Sequence, residues 1–117
     1  MWRDEAYVLD MLLAARKVLR YTAGVDQVRF LADEMMQDAV IRQIQIVGEA
    51  ARKVSPEWKA AHGEIPWPAI IGMRHRLVHD YISVLPDKVW EVVATDLPAL
   101  ILQFEALVPP DREEPPA

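Results

Sequence analysis

Residues 34–54, "EMMQDAVIRQIQIVGEAARKV", carry the clearest periodic pattern in the chain. Aliphatic residues recur there in alternating steps of four and three, which places them on one face of an α-helix. That apolar face consists of Val40, Ile44, Val47, Ala51 and Val54. A helix with one apolar face must be covered by other elements, so the stretch predicts a packed helical domain.

The opposite face of this predicted helix is polar and follows the same steps. It consists of Asp38, Arg42, Gln45, Glu49 and Arg52. One interpretation is a solvated face on which Asp38–Arg42 and Glu49–Arg52 form ion pairs at helical spacing. The other is that part of this stripe faces a polar cleft, and the sequence leaves both open.

Further helices are expected on the N-terminal side and directly after this segment. Apolar spacing predicts a first helix from about Asp4 to about Tyr21. Asp26 is a suitable cap for a short helical turn. After the long helix, Ser55 and Pro56 predict another short helix, because serine caps N-termini and proline suits the first helical position.

Proline residues divide the C-terminal part of the chain. Pro68 predicts the start of a third main helix, and Pro86 precedes the last predicted helix. Pro98 should kink the last helix, or split it with Thr95 or Asp96 as a second cap. Since no segment alternates as a strand does, we predict an all-α antiparallel bundle of about four main helices over residues 1–108. The proline-rich tail, residues 109–117, is expected to be disordered.

Composition narrows the range of functions. The chain has 117 residues and no cysteine, which excludes disulfides and cysteine-ligated metals and fits a reducing, cytoplasmic compartment. Charged residues interrupt the N-terminal apolar stretch, so neither a signal peptide nor a membrane span is predicted. A net charge of −5 argues against a protein that coats nucleic acid non-specifically, although a local basic site is compatible with it.

The third helix contains an unusual arginine. This helix includes the stretch "IGMRHRLVHDYISV", residues 71–84. From residue 67 onward, helical spacing predicts a stripe of residues that faces the core. The stripe consists of Trp67, Ile70, Ile71, Leu77, Val78 and Tyr81. It also predicts a hydrophobe at position 74, where the chain has Arg74. Either Arg74 extends past the core to a helix end or to a carboxylate such as Glu49 or Asp38, or it belongs to a functional groove.

A second face of the same helix holds Gly72, His75 and His79. The glycine suggests close approach by another backbone, from a neighbouring helix or a second subunit. Two histidines alone do not predict a metal site. On a straight helix Arg74 and His79 lie about 140° apart, so the helix must end or bend near His79 or a second copy must complete the site. Arg74 and Tyr81 lie nearly in line, about 20° apart.

Arginine, histidine and tyrosine together suit a phosphodiester substrate. Arginine offers a planar fork to phosphate oxygens, and histidine moves protons near neutral pH. RNA carries its own nucleophile, the 2′-hydroxyl, so a base and an arginine can cleave it without a metal. Because arginine and histidine are common in helices, this chemistry alone identifies no function.

The spacing Arg74-x4-His79-x-Tyr81 resembles the R-x4-H-x-Y motif of HepT-like HEPN proteins. Three stretches around it are similar to the same family over residues 4–107: "QDAVIRQIQIVGEAARKVS", "EIPWPAIIGMRHRLVHDYISV" and "VWEVVATDLPALILQFE". The resemblance implies an all-α homodimer with the motif in a cleft at the dimer axis. It also implies a metal-independent endoribonuclease toxin, and a MntA-like minimal nucleotidyltransferase as antitoxin.

Residue roles follow from the resemblance by position. Arg74 would bind the scissile phosphate, His79 would be the general acid/base, and Tyr81 would be the tyrosine onto which the antitoxin transfers AMP from ATP. His75 stands where the family favours asparagine or another polar residue, so it is either an extra proton-transfer group or a rim residue. The possible accessory residues are His75, Arg76, Asp38, Arg42 and Glu49. No metal or cofactor is expected.

The alternative is a non-catalytic helical module that binds nucleotide or docks a nucleotidyltransferase through the same three motif residues. Cleavage of RNA distinguishes the two functions, because a module of this kind would bind its partner and leave RNA intact.

Overall fold

The computed structural model describes residues 2–79 and 83–108. In chain order its helices are α1 (Trp2–Tyr21), α2 (Gln27–Leu31), α3 (Glu34–Lys53), α4 (Pro56–Ala61), α5 (Trp67–Ile71), α6 (Met73–Leu77), α7 (Pro86–Glu91) and α8 (Leu97–Leu107). Two-residue strands, β1 (Val78–His79) and β2 (Ser83–Val84), follow α6, and a π-helical turn, Val92–Asp96, joins α7 to α8. The predicted all-α fold is confirmed. The predicted tail, residues 109–117, lies outside the described residues.

The two longest helices, α1 and α3, pack antiparallel. Asp4, near the start of α1, accepts hydrogen bonds from the backbone N–H and the hydroxyl of Ser55, just beyond the end of α3, at 2.8 and 2.9 Å. The predicted apolar face of α3 is buried throughout, with Val40 and Val47 fully inaccessible. This burial is the main source of stability for a helix that propensity alone would leave marginal.

Short polar side chains cap the N-termini of three helices, and the sequence predicted two of these caps. Asp26 caps α2 by accepting from the Arg29 N–H at 2.9 Å, and Ser55 caps α4 by accepting from the Trp58 N–H at 3.2 Å. Asp33 caps α3 in the same way. Each cap satisfies one backbone donor that the helix itself leaves unpaired.

The predicted third helix is shorter than expected and is broken. Gly72 ends α5, with φ −88° and ψ 1°, and α6 ends at Leu77. The break shifts the buried stripe, because Met73 takes the inward position and is only 2% exposed. The prediction that position 74 points at the core is therefore wrong. Gly72 marks the helix end, while the close backbone approach occurs at Gly48.

After α6 the chain turns back on itself in a short antiparallel pair. Val78 lies opposite Val84 and His79 lies opposite Ser83. The Leu85 N–H donates to the Leu77 carbonyl at 2.8 Å, which closes the turn. The sequence analysis predicted no strand here, because two residues are too few for an alternating pattern.

Pro98 does not divide the last helical segment, because α7, the π-helical turn and α8 follow one another without a break. Proline lacks an N–H, and the preceding turn widens to the π form over Val92–Asp96. Asp96 occupies the predicted cap position of α8 but makes no capping bond. Its carboxylate instead lies 3.5 Å from the Arg76 guanidinium. No helix within residues 2–79 and 83–108 is long and apolar enough to cross a membrane.

Candidate active site

Arg74 lies on α6 beside the middle of α3. It is half-buried, and its Nε atom is enclosed by protein. A space of about 180 Å³ opens next to it. This space, the Arg74 cleft, is lined by Ile44, Gln45, Gly48, Glu49, Ile71 and Arg74. The cleft therefore combines one guanidinium with a carboxylate and an amide from the polar face of α3.

Gly48 sets the width of the Arg74 cleft. A Cβ atom at this position would lie 3.4 Å from the Ile70 carbonyl oxygen and 3.6 Å from that of Ile71. These are ordinary contact distances, so α5 lies close enough to the α3 backbone to exclude a side chain larger than alanine at position 48. Because α6 follows α5 after the break at Gly72, this approach carries Arg74 to the wall of α3.

Glu49 is the predicted accessory residue that the structure brings to Arg74. It is exposed, and one carboxylate oxygen accepts a hydrogen bond from Gln45 Nε2 at 3.2 Å. That contact lies one helical turn along the same face. The interpretation of α3 as a cleft wall therefore holds at this end of the stripe. Gln45 was on the predicted stripe but was not proposed as a site residue.

Asp38 and Arg42 lie farther along α3 and do not join the Arg74 cleft. Asp38 lines a separate cavity of about 540 Å³, which Val84 and Pro86 also line. Arg42, which lies between Asp38 and Glu49 in the sequence of α3, is exposed. Eleven residues separate Asp38 from Glu49, which is about 16 Å along the helix axis. A carboxylate from Asp38 is therefore not part of the Arg74 cleft.

The two residues that follow Arg74 on α6 do not line the Arg74 cleft. His75 is exposed. Arg76 pairs with Asp96 at 3.5 Å, so its guanidinium faces the π-helical turn before α8. Residues 74 and 76 lie about 160° apart on a helix, which explains why the two arginines serve different surfaces.

The other two motif residues follow the end of α6. The backbone of His79 lies in β1, opposite Ser83. Tyr81 lies outside the described residues. The predicted alignment of Arg74 with Tyr81 therefore lies outside the described residues as well. Of the two alternatives for bringing Arg74 and His79 together, the structure shows the first, because α6 ends at Leu77, two residues before His79. Within the described part of the chain, no group of three histidine, aspartate or glutamate residues has the geometry to hold a metal ion.

Comparison with known proteins now adds to this geometry. The chain matches the profile of the HepT-like family, described as ribonuclease HepT-like, over residues 11–107. The chain belongs to the HepT-like family. A relative in Thermococcus cleftensis, named as a ribonuclease HepT, is 36% identical over 86% of this chain and 92% of its own length. A relative in Methanocaldococcus jannaschii, named as an RNase, is 30% identical over 86% of this chain and 93% of its own length.

Membership of the HepT-like family confirms the predicted family and, at the level of that family, the predicted ribonuclease class of enzyme. No solved structure matches the chain at a significant level.

Proposed function

We propose that this HepT-like protein is a metal-independent endoribonuclease that acts as the toxin of a toxin–antitoxin pair. The observation that carries the proposal is the position of Arg74: it lines a cleft on α3, and His79 follows it by five residues, just beyond the end of α6. A guanidinium beside a solvent-accessible cleft is suited to hold a phosphodiester by two parallel hydrogen bonds.

In the proposed reaction His79 takes the proton from the ribose 2′-hydroxyl. The 2′ oxygen then forms a bond to phosphorus, and the bond from phosphorus to the 5′ oxygen breaks. A histidine returns a proton to the leaving 5′ oxygen, so the products are a 2′,3′-cyclic phosphate and a free 5′-hydroxyl. Arg74 stabilises the negative charge on the phosphoryl oxygens, and Glu49 lines the same cleft.

The proposed active form is a homodimer whose shared groove holds two sites, each with Arg74 from one protomer and His79 from the other. Two guanidiniums and two imidazoles would create a local positive site on a chain whose net charge is −5. His75 is proposed as a rim residue of this groove, because it is exposed on the same short helix as Arg74.

The proposed antitoxin is a MntA-like minimal nucleotidyltransferase that modifies Tyr81 in the cytoplasm, where ATP and RNA are both present. The tyrosine oxygen would attack the α-phosphorus of ATP, and pyrophosphate would leave. The resulting AMP groups add negative charge two residues from His79, which repels an RNA phosphate as phosphorylation would.

The test is cleavage of single-stranded RNA by the purified protein in the presence of a chelator. Wild type is expected to leave 2′,3′-cyclic phosphate ends, and His79→Ala is expected to be slower by about 100-fold or more, the usual contribution of a general acid/base. His75→Ala, the matched histidine on α6, is expected to lose less than about tenfold. Equal rates for wild type and His79→Ala would contradict the assigned role.

If the wild type cleaves nothing and still binds a nucleotidyltransferase, the alternative function as a docking module gains support. Mass spectrometry after incubation with the partner and ATP tests the modification separately. Added AMP mass on the Tyr81 peptide of wild type, and none on Tyr81→Phe, is the expected result.

A further inference from the structure

Three aromatic rings form a cluster at the end of α3, away from the motif. The rings of Trp58 and His62 stack with their centroids 3.8 Å apart and their planes 25° from parallel. Trp67 meets Trp58 edge-on, with centroids 6.1 Å apart and planes at 75°. Trp67 is 6% exposed, whereas Trp58 and His62 are half-buried. The stacked pair is therefore partly accessible to solvent and rests on a buried aromatic ring, and Trp58 also packs against the core.

Hydrogen bonds fix the orientation of these rings. His62 Nδ1 donates to the Trp58 carbonyl oxygen at 2.9 Å, because a carbonyl can only accept. Trp67 Nε1 donates to the His62 carbonyl oxygen at 3.1 Å. The start of α4 is held by Ser55, which in turn binds the buried carboxylate of Asp4. A ring pair held in this way loses little conformational entropy when a flat ligand stacks on it.

Three cationic side chains lie in the segment that carries Trp58 or just before it. Lys59 Nζ lies 5.9 Å from the centroid of the Trp67 ring. Arg52 and Lys53 are exposed at the C-terminal end of α3. Over residues 52–64 the chain carries three basic and two acidic side chains, so this segment is positive in a protein with a net charge of −5. Partly accessible aromatic rings beside cations are a combination that binds single-stranded nucleic acid through bases and phosphates.

A second cavity lies next to the Arg74 cleft, towards the C-terminal end of α3. Glu49 lines that cleft and also this second cavity, of about 110 Å³, which Lys53 lines. Four residues separate Glu49 from Lys53, about 6 Å along the helix axis. The helix that carries Trp58, α4, begins at Pro56, three residues beyond Lys53.

We infer that Trp58 and His62 form a stacking platform for a nucleobase of single-stranded RNA, with Lys59 beside its phosphate. This platform extends the RNA site beyond the motif, and the inference rests on the proposed ribonuclease function for the identity of the ligand. Unlike Arg74 and His79, the platform positions the strand and takes no part in bond cleavage.

The test is binding of a fluorescein-labelled 12-residue oligouridylate to the full chain, followed by fluorescence anisotropy at low salt. All proteins carry His79→Ala, so that the RNA stays intact. His62→Ala and Trp58→Leu are each expected to weaken binding about tenfold, the effect of losing one stacked base. His62→Phe keeps a flat ring and is expected to stay within about threefold of its parent. Lys59→Ala is expected to reduce the salt dependence of binding.

Leu102→Ala is the control, because Leu102 is a 69% exposed residue on α8, outside the aromatic cluster. Urea unfolding of each variant separates loss of the platform from loss of the fold. Equal affinities of His62→Ala, His62→Phe and their parent would overturn the inference, as would equal binding of an RNA duplex or no binding of oligouridylate at all.

Failure of the proposed function gives a different result. A wild type that cuts no RNA, with platform variants that still weaken oligouridylate binding, would refute the ribonuclease and support the platform. Normal cleavage together with unchanged oligouridylate binding by the platform variants would refute the platform alone.

Discussion

Asp4 is a buried carboxylate that joins three parts of the molecule. It is 4% exposed, and its two oxygens accept the Ser55 N–H and hydroxyl at 2.8 and 2.9 Å. Through Ser55 it fixes the first helix, the end of α3 and the start of α4. Bonds of this kind contribute more than neutral ones, since the acceptor is charged.

Removing this carboxylate should destabilise the protein. Asp4→Ala leaves the part-buried Ser55 donors without their charged acceptor, so the free energy of unfolding should fall by about 2–3 kcal/mol. Asp4→Asn keeps one acceptor oxygen and should lose roughly 1 kcal/mol. Asp10→Ala, an exposed aspartate in α1, should stay within about 0.5 kcal/mol of wild type. Urea unfolding at one protein concentration measures all three, and equal midpoints for Asp4→Ala and Asp10→Ala would contradict the role of the bonds.

Arg74 shows how far residue patterns reach. The motif spacing predicted a role for Arg74 in the site, and the apolar stripe predicted that position 74 points at the core. The stripe also assumed one continuous helix, whereas the break at Gly72 moves Met73 inward and turns Arg74 to the cleft. An isolated glycine is tolerated inside many helices, so the sequence alone could not distinguish a helix end from a packing contact.

At the scale of elements, α3 is the scaffold of the site. Its apolar face and its ends were predictable, since periodicity over some twenty residues is a strong signal, whereas its cap, Asp33, was not predicted. The pair of β1 and β2 was not, because each strand has two residues and is stabilised by its connection to Leu77 and Leu85. The polar face of α3 was ambiguous for another reason: exposed and cleft-facing polar residues have the same periodicity.

The packing of α3 against α5 leaves room at position 48 for a Cβ and for nothing larger. Gly48→Ala places a Cβ at ordinary contact distance, 3.4 Å, from the Ile70 oxygen, so the gain in helix propensity should raise stability by up to about 1 kcal/mol. Gly48→Val adds branches that must displace α5, at a cost of about 1–3 kcal/mol. Gly24→Ala, at φ 73°, should destabilise by about 1 kcal/mol through backbone strain instead.

Thermal unfolding of these three variants and wild type provides the measurement. A Gly48→Val protein as stable as wild type would show that α5 does not need the approach seen here. RNA cleavage by the same variant reports on the cleft, since displacement of α5 also moves the helix that carries Arg74.

At the scale of the whole molecule, an acidic protein is proposed to bind a polyanion. Its net charge of −5 opposes RNA at long range, so binding must come from short-range contacts in which cations are concentrated. One protomer supplies Arg74 in its cleft and Lys59 beside the aromatic cluster. A groove shared by two protomers would double the number of cations that one RNA strand meets.

Mixing two inactive variants tests whether the groove is shared. Arg74→Ala and His79→Ala are each expected to be inactive alone. If each site takes its arginine from one protomer and its histidine from the other, random exchange makes half of the dimers mixed, and one of the two sites in each is complete. Unfolding and refolding the two variants together should then recover about a quarter of wild-type RNA cleavage. Mixing without exchange is the control and should recover none. Sites completed within single protomers predict no recovery after exchange, because no chain in the mixture carries both Arg74 and His79, and that result would refute the shared groove.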